Sequence, residues 1–371
     1  MDNKYFKLYA SCIPVKGYSQ TVLCDIHNGK YHTFSNDLFY FINESKNLSI
    51  AEINKKYANI YDTLIVKLFD LFVKQNWGFY TTTPERFPDM CNIWEEPNII
   101  TNAVIDIDNS YNMNEIVEQL DILGCEALQI RFLSQLSLKN IKSIITTFGY
   151  SRLRSIELFI KYSPKISMDE YKSIPYFDGR IFDVIVYDSP ICKTITDNRN
   201  KITFISMSQI DDKNACGNIG IQYMNINSKS FFESCHFNSC LNRKLCIDSD
   251  GNIKNCINMC NNYGNIKDCN IIDIVKSSKF QELWKITKDK IEVCKDCEFR
   301  YICIDCRYHI DDKNNINSHP AKCKYNPYIG KWKGENGYVP VEECGKYSTE
   351  KGFEPDKIII ENIISKLEYD D

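Results

Sequence analysis

The chain lacks any apolar run long enough to cross a membrane, which takes about 20 residues. Its first residues, MDNKYFKLYASCIPVKGYSQ, carry charges and have no long apolar core, so a signal peptide is not expected. A basic excess is missing too, because 45 lysines and arginines face 49 aspartates and glutamates. We therefore expect a cytoplasmic protein that has neither a membrane nor a nucleic acid as its main partner.

Common catalytic patterns are also missing, since the sequence has no Ser-His-Asp set, P-loop or GxGxxG. What it has is cysteine, 18 in all, of which eleven lie between Cys235 and Cys323. A reducing cytoplasm disfavours a disulfide framework, so this dense region indicates metal binding or catalysis. Isolated cysteines such as Cys125 and Cys192 are interpreted as small buried apolar residues.

The sequence predicts five segments in an α/β protein. Residues 1–82 combine a hairpin at His27-Asn28-Gly29-Lys30 with three helices, the second of which has a Ser49–Glu52 capping box. This is a winged-helix arrangement. Residues 83–98 hold three prolines and fit a linker, and residues 331–371 form a tail with a weak helical pattern at 357–367. The remaining segments are 99–228 and 229–330.

Residues 99–228 alternate between strand-like and helix-like patterns, which favours parallel βαβ units. The candidate strands are 99–107, 127–132, 155–162, 181–187, 202–207 and 219–224, and the candidate helices are 114–123, 138–148 and 168–173. Six strands are too few for a closed eight-stranded barrel, so an open partial barrel or an open sheet is expected.

Residues 229–330 hold two cysteine motifs. The first is Cys240-x5-Cys246-x4-Gly251-x4-Cys256, and the second is Cys294-x2-Cys297-x5-Cys303-x2-Cys306, followed by Cys323. A zinc ribbon separates its Cys-x2-Cys pairs by a dozen or more residues, whereas five separate them here. Closely spaced cysteines of this kind are typical of cubane iron–sulfur clusters, where one run of cysteines provides ligands to two clusters. The stretch 246–256 predicts a hairpin with Cys246 and Cys256 side by side at its open ends.

The array resembles the SPASM domain, the auxiliary-cluster module of radical S-adenosylmethionine peptide-modifying enzymes. Its Gly-x4-Cys step and Cys-x2-Cys-x5-Cys-x3-Cys run are matched here, with two residues rather than three before Cys306. The resemblance implies two 4Fe–4S clusters without an open iron, which suits structural or electron-transfer roles. Their implied ligands are Cys240, Cys246, Cys256 and Cys306 for the first cluster, and Cys294, Cys297, Cys303 and Cys323 for the second. Cys235, Cys260 or Cys269 could replace Cys246.

The radical motif Cys-x3-Cys-x2-Cys is absent, and no glycine-rich segment follows the second candidate strand, where the sequence continues Arg131-Phe-Leu-Ser-Gln-Leu. The segment 99–228 is therefore interpreted as a degenerate radical-type partial barrel. We do not expect S-adenosylmethionine as a cofactor.

The chain also resembles the SPASM peptide maturases of grasp-with-spasm systems over a wider range. The segments that carry this resemblance are ASCIPVKG, CLNRK, GNIKNC and VCKDCEFRYIC. It implies a ribosomal precursor peptide and an ATP-grasp ligase as partners. It also implies that residues 1–82 resemble a leader-recognition element, in which the leader adds to the hairpin edge beside the third helix. The peptide-binding candidates are then Tyr31, His32, Thr33, Phe34, Ile65 and Phe69.

The expected function is that of an iron–sulfur protein in maturation of a ribosomally synthesised peptide; whether it catalyses a step is left open. Two alternatives stand beside it, a zinc-stabilised scaffold without redox chemistry and an atypical radical S-adenosylmethionine enzyme. Other candidates are polar residues near the motifs or at the end of the first strand, and each also has a plain structural interpretation. They are His236, His309, His319, Asp106 and Asp108.

Overall fold

The structure is a computed structural model that describes residues 4–108, 112–196, 201–209, 216–348 and 350–369. The chain forms two compact units. The first unit consists of Met1–Trp94, Gly217–Ser239 and Ile286–Asp371, and the second of Glu95–Cys216 and Cys240–Lys285. Within the described ranges, no helix has both the length and the apolar character that a membrane span requires.

The second unit is built on an eight-stranded sheet, and the predicted α/β class is confirmed. Its strands are β6 (Asn102–Ile107), β7 (Ala127–Phe132), β8 (Ser155–Lys161), β9 (Ile181–Tyr187), β10 (Lys193–Thr196), β11 (Ile202–Ile205), β12 (Lys244–Ile247) and β13 (Ile253–Lys254). They run in the order β10-β11-β9-β8-β7-β6-β12-β13, and all neighbours are parallel except the two edge pairs β10–β11 and β12–β13.

Helices follow the parallel strands of this sheet. They are α4 (Met113–Leu123), α5 (Leu138–Thr146) and α6 (Met168–Ser173), with α8 (Ile271–Lys276) and α9 (Ser278–Gln281) later in the chain. One residue in two along the central strands is fully buried, as Ile105, Ile130 and Leu158 show. This alternation gives the sheet one wholly apolar face.

Five of the six strands expected in 99–228 are present, close to their predicted bounds. The sixth prediction, 219–224, is wrong, because the chain there forms a 3-10 turn at Ile221–Tyr223. Ile221 and Tyr223 are largely exposed, so no buried face supports a strand. Its place as sixth parallel strand is taken by β12, which pairs with β6 and comes from the cysteine region.

The first unit contains the expected hairpin and three helices. The strands are β1 (Tyr5–Leu8), β2 (Cys12–Lys16), β3 (Gln20–Asp25), β4 (Lys30–Ser35) and β5 (Gly78–Thr81), and the helices are α1 (Asn36–Ser45), α2 (Ile50–Lys56) and α3 (Asp62–Lys74). Strands β2, β3 and β4 form one sheet, and β1 pairs with β5. The Ser49–Glu52 capping box is confirmed at the start of α2.

The rest of the first unit is mostly loops and short turns. It adds α7 (Ser228–His236), α10 (Lys357–Tyr369) and the strand pairs β14 (Tyr325–Asn326) with β15 (Lys331–Trp332) and β16 (Gly345–Ser348) with β17 (Gly352–Pro355). The helix expected at 357–367 is thus confirmed as α10. The five-segment division made from the sequence stays a prediction.

Candidate metal centres

The hairpin of β12 and β13 positions the first cysteine motif, and the predicted strand–turn–strand is confirmed. Cys246 pairs with Lys254 across the hairpin, and its Sγ lies 3.6 Å from the carbonyl oxygen of Asn255. The turn is closed by the Asp248 carboxylate, which forms an ion pair of 2.8 Å with Lys254 Nζ. Cys246 and Cys256 are both buried at this end of the hairpin.

Four cysteines in the second unit affect the pKa of Lys244, at the start of β12. Desolvation lowers the pKa of this lysine, but the negative charge of nearby cysteines raises it above its usual value. Those cysteines are Cys240, Cys246, Cys256 and Cys216. In turn, burial raises the pKa of the Cys246 thiol to about 12, and Lys244 opposes that rise. Three predicted ligands and one further cysteine therefore affect the pKa of the same lysine.

Cys216 is the member of this group that sequence reasoning missed. It lies outside the spaced motifs, and the only signal was an isolated cysteine before a glycine. It is half-exposed, unlike Cys125, which is buried as expected of a small core residue. The same expectation is wrong for Cys192, which is exposed. Cys306, the fourth ligand predicted for the first cluster, is buried in the first unit, where a Cβ added to Gly217 would lie 3.0 Å from its Sγ. Its place in that cluster stays a prediction.

The second motif folds as a tight loop that starts with a strained residue. Residues Cys294–Asp296 form a 3-10 turn, and the Cys303 N–H donates to the Phe299 carbonyl at 2.9 Å. Val293, just before the turn, has a φ of +65°. A β-branched residue rarely adopts this left-handed conformation, which costs about 1–3 kcal/mol and is concentrated at functional sites.

The four cysteines assigned by resemblance to the second cluster lie together in the first unit. Cys294, Cys297, Cys303 and Cys323 all line one cavity. Burial raises the pKa of the thiols of Cys294, Cys297 and Cys303, and the charge of Cys323 adds to the rise at each of them. Residues separated by up to 29 positions in sequence are thus electrostatic neighbours.

Lys288 supplies a buried positive charge to these thiols. It is 4% exposed, and its Nζ donates hydrogen bonds to the Ile304 carbonyl at 3.1 Å and to the Cys303 thiol. Desolvation lowers the pKa of Lys288, but Cys303, Cys294 and Asp305 raise it above its usual value. Among the described residues it forms no ion pair with a carboxylate. A buried ammonium needs negative neighbours, and here these are Asp305 and, when deprotonated, Cys303 and Cys294.

His319 also lines this cavity and can carry a positive charge. Its Nδ1 lies 3.2 Å from the Asp311 carboxylate, and its side chain also hydrogen-bonds Cys323. Desolvation opposes protonation, but these two partners raise the pKa of His319 to about 9. Burial alone would raise the pKa of Cys323, yet the bond from His319 lowers it below the usual value. Cys323 is therefore favoured as a thiolate, the form that binds metals.

A buried ion pair fixes the chain between the second motif and Cys323. Arg307 is 2% exposed, and its Nη2 lies 2.6 Å from an Asp305 carboxylate oxygen. Its Nη1 donates to the carbonyl oxygens of Ile316 at 2.9 Å and Ser318 at 2.8 Å. These bonds tie the loop that leads to Cys323 to the residue that follows Cys306.

In the part of the chain that the structure describes, no group of three or more histidine, cysteine, aspartate or glutamate side chains is placed to hold a metal ion. Zinc thiolates at about 2.3 Å from one ion must lie close together. An iron–sulfur cluster is wider, and with four thiolates it carries net negative charge, which matches the nearby lysines. The donor chemistry is that of cluster ligands, which are cysteine thiolates.

The peptide-binding candidates divide between an edge strand and the core. Tyr31, His32, Thr33 and Phe34 lie on β4, at one edge of its sheet. Ile65 and Phe69 are buried, with the Phe69 ring stacked 4.3 Å from that of Phe6. The exposed apolar residues of α3 are instead Leu64 and Leu71. The roles of all six candidates in peptide binding stay predictions.

Two of the remaining candidates, Asp106 and His236, have structural partners. Asp106 is buried and forms a bidentate ion pair with Arg131, whose Nε and Nη2 lie 2.5 and 2.7 Å from its two oxygens. Asp108 is exposed. His236 is exposed too, and its Nε2 lies 2.5 Å from the Asn92 carbonyl oxygen. His309 is half-buried.

The three substitute cysteines differ in surroundings. Cys235 lies in the first unit, where its charge acts on the buried thiol of Cys24. Cys260 is exposed, and Cys269 is half-buried beside Gly264. None of the three is among the cysteines that act on Lys244.

Comparison with known proteins gives little. No protein family matches the chain, and no curated protein does. Among solved structures, the crystal structure of Streptococcus suis SuiB aligns with 12% identity over 87% of this chain and 97% of its own, with a TM-score of 0.30. A TM-score this low does not establish a common fold.

Proposed function

We propose that this chain is an iron–sulfur protein that takes part in maturation of a ribosomally synthesised peptide. The observation that carries the metal part is the grouping of Cys294, Cys297, Cys303 and Cys323 around one cavity. Lys288 supports it, because this buried cation hydrogen-bonds the Cys303 sulfur and is also close enough to Cys294 and Asp305 to be affected by their charge.

Under this proposal the second cluster is held by Cys294, Cys297, Cys303 and Cys323. The first is held by Cys240, Cys246 and Cys256, together with Cys306 as the motif predicts or with Cys216, which acts on Lys244 as the other three do. When bound, the clusters would supply electron transfer. Lys288, Lys244 and His319 would offset their negative charge.

The peptide part rests on the motif resemblance and on the position of β4. An edge strand offers unpaired backbone groups, to which an extended segment adds as a further strand. The proposed partners are therefore a precursor peptide, with its leader along β4, and an ATP-grasp ligase that modifies or receives the same peptide.

Serine substitution tests the metal part. In anaerobically purified protein, Cys294→Ser, Cys297→Ser and Cys303→Ser should each lower iron content and bleach the visible absorption. Cys344→Ser is the matched control, since Cys344 is also buried in the first unit but lies among core residues. Cys216→Ser and Cys306→Ser then decide the fourth ligand of the first cluster. Unchanged iron in the three loop variants would refute the proposal.

Mass spectrometry tests the peptide part. The protein is incubated anaerobically with the precursor peptide encoded beside its gene, with and without the ligase. A mass change that requires this protein supports a role in maturation. If the peptide neither binds nor changes mass in either mixture, that role is refuted, and protein with zinc alone would favour the scaffold alternative.

A further inference from the structure

We propose that a cavity in the first unit, the β1–β2 cavity, binds a carboxylate attached to an apolar body. The cavity has a volume of about 420 Å³ and lies among β1, β2, α1, α7, the segment 89–92 and the pair Arg300–Tyr301. Pockets of roughly 300–1,000 Å³ are the usual size for small-molecule sites in proteins. None of the eight cysteines assigned to the two clusters lines it, and Cys235 is the one substitute candidate that does.

The walls of the cavity are mainly apolar. Aromatic rings come from separate elements: Phe6 and Tyr9 from β1 and the turn after it, Phe39 from α1, and Phe232 from α7. Phe6 is buried, and Tyr9 is partly exposed at 41%. Burying an apolar chain against such walls is favourable by about 25 cal/mol per Å². The ligand therefore needs an apolar body.

The charged side chains that line the cavity are unbalanced. Four are cationic, Lys7, Lys16, Lys46 and Arg300, and one is acidic, Asp89. Lys46 pairs with Asp89, and Arg300 pairs with Asp289 at 3.0 Å. Lys7 and Lys16 have no carboxylate within ion-pair distance among the residues the structure describes.

The two lysines without a carboxylate have only neutral partners. Lys7 Nζ donates to the carbonyl oxygens of Phe87 at 2.5 Å and Pro84 at 3.4 Å. Lys16 Nζ lies 3.4 Å from the Gly17 carbonyl oxygen and 5.6 Å from the centre of the Tyr40 ring. Both side chains are half-buried. A ligand carboxylate would supply the missing negative charge, and hydrogen bonds between charged groups are the strong ones.

Two sources share this chemistry, a free alkyl or aryl carboxylic acid and the C-terminus of an apolar peptide. The inference goes beyond the proposed function, because none of the cavity residues named here is a proposed cluster ligand. Binding of the carboxylate is expected whether or not the protein contains iron, so the two proposals can fail separately.

Isothermal titration with matched ligands tests the charge requirement. Decanoate, decanol and decyltrimethylammonium share an apolar chain and differ in charge. We expect decanoate to bind at least about tenfold more tightly than the other two. A tetraleucine peptide with a free C-terminus, compared with its C-terminal amide, tests the second source. Equal affinity for all three decyl ligands, or no binding of either carboxylate, would overturn the proposal.

Substitutions locate the site. Lys7→Gln and Lys16→Gln should each weaken carboxylate binding several-fold, and together at least about tenfold. Lys346→Gln removes an exposed charge from β16, away from the cavity lining, and should have no effect. Asn43→Trp places a large side chain at an exposed α1 position that lines the cavity, and should weaken binding of all decyl ligands. Wild-type affinity in the double lysine variant would contradict the site.

Discussion

Lys288 donates a hydrogen bond to the thiol of Cys303 from a position that is 4% exposed. If Cys303 holds a cluster, this ammonium lies beside the cluster's negative charge and favours its reduced form. Lys288→Gln should therefore make the reduction potential of one cluster more negative and leave the other unchanged. Protein-film voltammetry or a dye-mediated titration followed by electron paramagnetic resonance measures both potentials.

Lys290→Gln is the matched control, because Lys290 is an exposed lysine on the same turn. It should leave both potentials within experimental error of wild type. Equal shifts in the two variants would mean that net charge, rather than the buried contact with Cys303, sets the potential.

Arg307 should be among the most sensitive residues of the first unit. Arg307→Met leaves the buried Asp305 carboxylate without its ion-pair partner and the carbonyl oxygens of Ile316 and Ser318 without a donor. Breaking a buried pair in this way costs about 3–5 kcal/mol in the free energy of unfolding. Chemical denaturation measures the loss, with Arg86→Met, an exposed arginine of the same unit, as control. A loss below about 1 kcal/mol would contradict the assigned role.

Glu157 should make the second unit less stable as the pH rises. Burial raises its pKa from the usual 4.5, Asp183 adds to the rise, and a 2.5 Å hydrogen bond from Gln129 opposes it. Above pH 4.5 the unfolded chain loses this proton before the folded chain does, so stability falls with increasing pH. Glu157→Gln keeps an acceptor for Gln129 and removes the titration.

The melting temperature of Glu157→Gln, relative to wild type, should therefore increase as the pH rises above 4.5. Differential scanning calorimetry measures this difference. Glu118→Gln, at an exposed position of α4, should show no such trend. A Glu157→Gln difference that is flat or declines with pH would contradict a raised pKa of the Glu157 carboxyl.

Leader capture predicts a role for the exposed leucines of α3. Leu64 and Leu71 are seven residues apart, so they share one face of the helix. Leu64→Glu and Leu71→Glu should each weaken precursor binding by about tenfold, because a buried leucine contributes about 1.5–3 kcal/mol. Fluorescence anisotropy with a labelled precursor measures affinity. Ile122→Glu, an exposed apolar residue on α4, is the control, and equal effects at all three positions would argue against a groove at α3.

The sequence predicted the local elements well where a short-range signal existed. The Asn-Gly hairpin, the Ser49–Glu52 capping box and the Asp-Gly hairpin at β12–β13 depend on neighbouring residues alone. It failed at 219–224, where an apolar alternation has no buried face to support it. It also did not predict that β12 joins the sheet beside β6, since strand pairing across more than 100 residues leaves no local pattern.

The sequence predicted the cysteines of the candidate centres but not the charged residues around them. Spacing and resemblance selected Cys294, Cys297, Cys303 and Cys323, which lie together. Neither signal could point to Lys288 or Lys244, because a lysine in a loop or at a strand start is usually exposed. Cys216 was missed for a related reason, since its neighbours come from the fold and not from a motif. The left-handed backbone conformation of Val293 could not be predicted, because no sequence pattern indicates a positive φ at a valine.

The most direct test of the account is the iron and acid-labile sulfide content of anaerobically purified protein. Two filled 4Fe–4S clusters predict about eight irons and eight sulfides per chain, with a brown colour that dithionite bleaches. Colourless protein that contains zinc alone would contradict it. An iron content that stays unchanged when the four cysteines at 294, 297, 303 and 323 are replaced together would also contradict it.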